Sequence, residues 1–260
     1  MIQDLSKTSG LDLELDDSRH SLILGEGLAR ISPAVRFLKD IKDVLAQKDA
    51  AGPDKLYYMY RNLHKVKDEF ELRKNGLRYD VTIIRPERLG SEFMKTAGHY
   101  HPGAFGELYE VLSGKAWCLL QKKNEKDYRI IEDVILVKAQ AGDKIVIPPG
   151  YGHILINPAG EHLVTSNWVS SEFSSEYDLY KKTQGGAYYI FEDNLGELFE
   201  ANPFYQKVPK IRAARPADRI AKFGLKSAVP MYPLLYREVH KLDFLNNPLK
   251  YDYSDVFIFQ

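Results

Sequence analysis

Three observations predict an all-β barrel or sandwich, preceded by a helix and followed by an extension. From Leu56 onward, aromatic and β-branched residues gather in short runs broken by Gly, Pro, Asn and Asp, the pattern of strands joined by tight turns. These runs do not alternate with long helical patterns, which argues against an open parallel sheet. The chain has 260 residues, 44% of them hydrophobic and 12% aromatic, enough apolar surface for a sizeable core and too much for a disordered chain.

The elements follow in order. Ser32 can cap a helix and Pro33 suits its first position. Ala34, Phe37, Leu38, Ile41, Val44 and Leu45 fall at helical spacing, and Gly52 and Pro53 stop the pattern, so a helix is expected at about 33–48. Strands are expected at Leu56–Arg61, Tyr79–Arg85, Leu108–Leu112, Ala116–Gln121, Arg129–Val137, Lys144–Ile147, Ile154–Asn157, Leu163–Trp168 and Ala187–Glu192. Val66 to Asn75 is so charged that it reads as a solvated loop or hairpin end. After about Ala217, Pro230, Pro233 and the Asn246-Asn247-Pro248 stretch interrupt the pattern, but the aromatic end at Val256–Phe259 suits packing on the body or on a partner. This divides the chain into an N-terminal extension (1–53), a barrel domain (54–216) and a C-terminal extension (217–260).

Charge and composition narrow the function. The 36 basic residues balance 36 acidic ones, whereas a nucleic-acid binder shows a basic excess; a small-molecule ligand is expected instead. Cys118 is the single cysteine, so no disulfide forms within the chain, and its place in a strand suits the core. Met1 to Asp17 has five acidic residues, no basic start and no apolar run, unlike a secretory signal. No apolar stretch approaches the roughly 18 residues of a membrane span. A soluble, cytoplasmic protein is expected.

The centre of the chain carries the chemistry. Residues i and i+2 of a strand share a face, so His99 and His101 can aim two imidazoles at one point. Glu107 can return a carboxylate after the turn at Pro102, Gly103 and Gly106, and His153 follows the Pro148-Pro149-Gly150 turn as a fourth ligand. Imidazole and carboxylate together suit a first-row divalent ion. His20, His64, His162 and His240 lack partners at ligand spacing and are expected on the surface or in packing roles. Tyr188 and Tyr189 are expected in the barrel wall or a subunit interface.

Two segments resemble the cupin signatures. One is His-x-His, five residues, Glu107, six residues, Gly114; the other is Gly142, five residues, Pro-x-Gly, two residues, His153, three residues, Asn157. The resemblance implies a double-stranded β-helix (jelly-roll) barrel. The stretches Thr82–Phe93, Thr96–His101, Gly106–Gly114 and Val146–His153 are similar, more narrowly, to the cupin-type glucose-6-phosphate isomerases. That likeness covers roughly Asp54 to Pro216. It implies interconversion of glucose 6-phosphate and fructose 6-phosphate by a homodimer that binds iron, manganese, nickel or zinc on His99, His101, Glu107 and His153. By position, Thr82, Thr96, Gly98 and Tyr109 would contact the sugar phosphate, with Trp168 near a family aromatic. A histidine that the family carries after the second motif does not appear in Ser174-Ser175-Glu176-Tyr177-Asp178.

Moving hydrogen between C1 and C2 as a proton leaves an enediolate, and a carboxylate can carry that proton. Glu107 is the acid that the motif puts at the ion, with one oxygen expected free for the proton; a hydride shift is the alternative. A dioxygenase-type metal cupin and a sugar-phosphate-binding cupin without catalysis are the competing functions.

Overall fold

A computed structural model describes residues 1–103, 105–193 and 196–260. The N-terminal residues form a three-stranded antiparallel meander: β1 (Ile2–Asp4), β2 (Leu13–Asp16) and β3 (Ser21–Leu24). Leu13 and Leu15 of β2 are fully buried and join the main core.

Two larger sheets make the jelly-roll body. Their strands are β4 (Ala34–Phe37), β5 (Lys55–Tyr60), β6 (Leu77–Ile84), β7 (Arg88–Leu89), β8 (Glu92–Lys95), β9 (Glu107–Ser113), β10 (Lys115–Lys123), β11 (Ile131–Gln140), β12 (Lys144–Ile147), β13 (Tyr151–Asn157), β14 (Leu163–Ser170), β15 (Tyr188–Asp193), β16 (Gly196–Ala201) and β17 (Arg212–Pro216). The tail adds a small hairpin, β18 (Arg219–Ile220) with β19 (Leu225–Lys226), and the last strand, β20 (Phe257–Phe259). One sheet runs β12-β9-β14-β6-β5-β4; the other runs β16-β15-β8-β13-β10-β11-β17-β20, with β7 on β8. All-β architecture and barrel type agree with the sequence reading. Each expected strand lies in or overlaps an observed one.

Two local expectations are corrected. The helix expected at 33–48 is mostly absent: Ala34–Phe37 is strand β4, and only Leu38–Ile41 and Lys42–Val44 form short helical turns. β5 would otherwise end the sheet with unpaired backbone groups, and β4 pairs with it through Ala34↔Met59, Val35↔Tyr58 and Arg36↔Tyr57. That non-local ladder overrides the local helical spacing. Ile41, Val44 and Leu45 are buried all the same. The charged stretch 66–75 is not a loop but a helical turn at Val66–Asp68 followed by a helix at Glu69–Lys74. Its acids lie in the first turn and its bases in the last, matching the helix dipole, Glu69 pairs with Arg73 at 3.0 Å, and Leu72 is buried.

The tail packs over the outer face of the six-stranded sheet. Tyr232 lies edge-on to Tyr79 of β6 and stacks on Trp168 of β14. All three rings are buried.

Candidate metal centre and substrate cavity

His99 and His101 precede β9, held by the backbone pair His99 N–H to His153 C=O (3.2 Å) and His153 N–H to His99 C=O (3.0 Å). Tyr100 between them points away. Its hydroxyl accepts from Gln121 Nε2 at 2.8 Å, and its ring fills the space beside Gly152, where a Cβ would come within 2.6 Å of it. The alternation inferred from sequence therefore turns both imidazoles inward. Glu107 opens β9 and His153 lies on β13, so the four residues join the two sheets.

Ligand atoms of His99, His101, Glu107 and His153 all lie within 4.8 Å of one another. Nε2 of His101 and of His153 are each 3.1 Å from Glu107 Oε2, Nε2 of His99 is 3.8 Å from it, and the His99 and His101 Nε2 atoms are 3.2 Å apart. Bonds of about 2.0–2.1 Å to one ion would set neighbouring ligand atoms roughly 3 Å apart, so the donor set fits a single divalent ion. Glu107 Oε2 is buried without a hydrogen-bond partner in the protein, a cost that an ion would remove.

Electrostatics favour the ligand forms. Burial, then His153, pushes the His99 imidazole down to about 3 against the pull of Glu107. Burial likewise lowers His153. Burial alone would raise the Glu107 carboxyl, but the three imidazoles that face it outweigh burial and hold the group well below the ordinary range. Neutral imidazoles and a carboxylate are what a divalent ion requires.

A cavity opens beside this cluster, lined in part by Thr82, Thr96, Gly98, Tyr109, Tyr57, Asn167 and Tyr177. Tyr109 lies two residues after Glu107 on the same face, and its hydroxyl is 3.1 Å from His153 Nε2. Burial, then Glu107, pushes its phenol well up, so it stays protonated. Thr96 Oγ1 accepts the Leu155 N–H at 3.0 Å. Gly98 has φ +75°, and a Cβ there would strike Ile154 and Tyr180 at 2.7–2.9 Å; only glycine fits.

Trp168 does not reach this cavity. Strand alternation gives the inner face of β14 to Asn167 and Val169, and Trp168 points outward, donating Nε1–H to Met231 C=O at 3.2 Å under the tail. The oxygen of Glu107 expected to be free is also engaged: Oε1 accepts from Asn167 Nδ2 at 2.7 Å. Sequence reasoning did not single out Asn167, Tyr57 or Tyr177. Tyr177 sits in the segment where the family histidine is missing, and Ser175 of that segment lines the cavity with it. His20 and His162, expected on the surface or in packing roles, pair at 2.8 Å between ring nitrogens, with Asp17 3.3 Å from His162 Nδ1; they tie the N-terminal meander to the barrel.

A family model described as Glucose-6-phosphate isomerase (GPI) matches residues 35–207. A glucose-6-phosphate isomerase of Thermococcus gammatolerans is 33% identical over 132 residues, 50% of this chain and 65% of that protein. One from Thermococcus litoralis is 26% identical over 177 residues, 65% of this chain and 86% of the relative. A solved oxalate decarboxylase from Bacillus subtilis aligns with a TM-score of 0.34 at 19% identity, covering 46% of this chain and 27% of that one.

Proposed function

The chain belongs to the glucose-6-phosphate isomerase family, and from that membership we propose that it interconverts glucose 6-phosphate and fructose 6-phosphate at a divalent ion on His99, His101, Glu107 and His153. The observation that carries this reading is the convergence of the four ligand atoms beside a cavity with hydroxyl-bearing walls. A divalent ion held there supplies Lewis-acid stabilisation for charge on the substrate oxygens at C1 and C2.

The chain's own residues do the rest. Tyr109 keeps its proton and donates from the cavity wall. Thr82, Thr96 and Gly98 line the part of the cavity that the phosphorylated end of the sugar occupies. Glu107 ligates through Oε2. Its Oε1 keeps a lone pair beyond the Asn167 contact, and with it carries the proton from one carbon to the next. Among the described residues lining the cavity there is no histidine beyond the candidate ligands. The ion is iron, manganese, nickel or zinc, and the enzyme acts as a cytoplasmic homodimer.

A coupled assay on metal-loaded protein tests the reading. Fructose 6-phosphate should be turned over and a chelator should abolish turnover. No turnover with any of the four metals rejects an isomerase, and oxygen uptake in its place identifies a dioxygenase. Elemental analysis tests the site: the wild type should hold one metal per chain and His101→Ala far less. Sedimentation at micromolar concentration tests the dimer, and a purely monomeric boundary removes it.

A further inference from the structure

Three arginines approach the inner side of the six-stranded sheet, and their surroundings differ. Arg78 is neutralised: its Nε lies 2.9 and 3.0 Å from the two carboxylate oxygens of buried Asp80. Arg61 lines the cavity beside the metal cluster but is exposed, so water solvates its guanidinium; Met59 Sδ lies 3.7 Å from its terminal nitrogen. Arg36 has neither a paired carboxylate nor full access to water. It stands opposite Tyr57 on the neighbouring strand, its guanidinium 6.0 Å from the centre of the Tyr57 ring and 5.6 Å from that of Tyr177. Its Nε is buried with no hydrogen-bond partner in the protein, although the Tyr57 hydroxyl and, more weakly, Asp40 attract the guanidinium.

Arg36 faces a small recess whose walls include Ala97, Gly98, Tyr177 and Lys181. Ala97, Gly98 and Tyr177 also line the substrate cavity, so the two spaces adjoin. Asp40 and Asp43 border the recess as well. Asp40 accepts the Phe37 N–H at 3.0 Å, and Asp43 faces Lys48 at 4.0 Å. Neither forms an ion pair with Arg36 among the described residues. A buried cationic N–H without an acceptor is costly, and the rigid guanidinium fork matches a phosphoryl group that can accept two of its bonds. The Tyr177 ring fixes the distance scale. The His99 imidazole lies 5.6 Å from it, and the Arg36 carbon also lies 5.6 Å from it. The two groups share this ring as a neighbour, which bounds their separation at about 11 Å, a span within reach of a phosphorylated six-carbon chain.

We infer that Arg36 is the cation that binds the phosphoryl group of the sugar phosphate, reaching it across the Ala97–Gly98 wall. This rests on the isomerase reading for the identity of the substrate, but not for the binding of phosphate itself. Arg36 sets specificity for the phosphorylated sugar and touches no reacting carbon.

The test is calorimetric titration of inorganic phosphate into metal-loaded wild type, Arg36→Gln, Arg36→Lys and Arg61→Gln, with steady-state kinetics beside it. Arg36→Gln should weaken phosphate binding on the order of 10- to 100-fold, the range of a charge-assisted hydrogen bond. Arg36→Lys should lose less, and Arg61→Gln should match the wild type. KM for fructose 6-phosphate should rise in Arg36→Gln by a similar factor while kcat changes little. Phosphate binding equal in wild type and Arg36→Gln, as expected were phosphate held on the metal, overturns the inference, as does the absence of phosphate binding to the wild type. If Arg36→Gln does not fold, Arg36→Lys carries the test, and wild-type affinity there overturns it too. Arg36-dependent phosphate binding without turnover of fructose 6-phosphate would sink the isomerase reading alone.

Discussion

Glu107 divides its two oxygens between different neighbours. Oε2 faces the imidazoles, and Oε1 accepts from Asn167 at 2.7 Å. Glu107→Gln keeps a candidate ligating oxygen and loses the proposed base. With metal restored, turnover should fall by about 10²–10⁴-fold, the usual contribution of a positioned base, while a sugar phosphate still binds. Substrate deuterated at C2 gives a second reading: washout into ordinary water marks a proton carried by a carboxylate, and full retention with an active Glu107→Gln enzyme would leave Glu107 a ligand only. Asn167→Ala separates holding from ligating. Removing the amide leaves Oε1 buried without its donor, a loss of about 1–3 kcal/mol that should appear as a lower melting temperature with metal content retained. Unchanged melting would mean the Asn167 contact does not hold the carboxylate.

At the scale of elements, β9 shows how one strand serves two faces. Glu107 and Tyr109 point into the barrel, and Glu110 points out, yet the tail keeps it buried. Glu110 lies 2.8 Å from Lys144 Nζ and accepts the Met231 N–H at 3.2 Å. Burial pushes its carboxyl up to about 7 despite Lys144. The folded state therefore keeps a proton that the unfolded chain releases near its ordinary value of 4.5, so this group's contribution to stability falls as pH rises from about 4.5 through 7. Glu110→Gln cannot titrate, and its melting temperature should fall less over that range than the wild type's. Parallel curves would show that Glu110 is ionised throughout. Glu110 also marks what the sequence could reveal. The strands and the candidate metal ligands were legible because turn glycines and i, i+2 spacing are local signals. Glu110, Asn167 and Arg36 are ordinary strand residues in sequence, and cross-strand pairing and the tail give them their surroundings. Trp168, expected near the substrate, lies on the opposite face of β14 because successive strand residues alternate faces. The helix expected at 33–48 failed because the edge of β5 lies outside its own sequence window.

At the scale of the whole molecule, the candidate ligands hold the two sheets together. Glu107 belongs to the sheet that contains β9, His153 to the one that contains β13, and His99 and His101 to the segment that crosses between them. An unfolded chain does not gather these four side chains, so an ion bound by the native state adds its binding free energy to stability. At free metal 100-fold above Kd that addition is about 2.7 kcal/mol, or roughly 5–11 °C in melting temperature for a domain of this size. Two buried atoms support the linkage: Glu107 Oε2 and His153 Nδ1 have no hydrogen-bond partner in the protein, and an ion would satisfy the first directly while fixing the ring that carries the second. Wild type loaded with metal should therefore melt higher than the same protein stripped by a chelator. His101→Ala should show little difference between the two conditions. A wild type whose melting ignores both chelator and added metal, together with no bound metal by elemental analysis, would leave the four residues as a buried hydrogen-bonded cluster and remove the metal from the proposed chemistry.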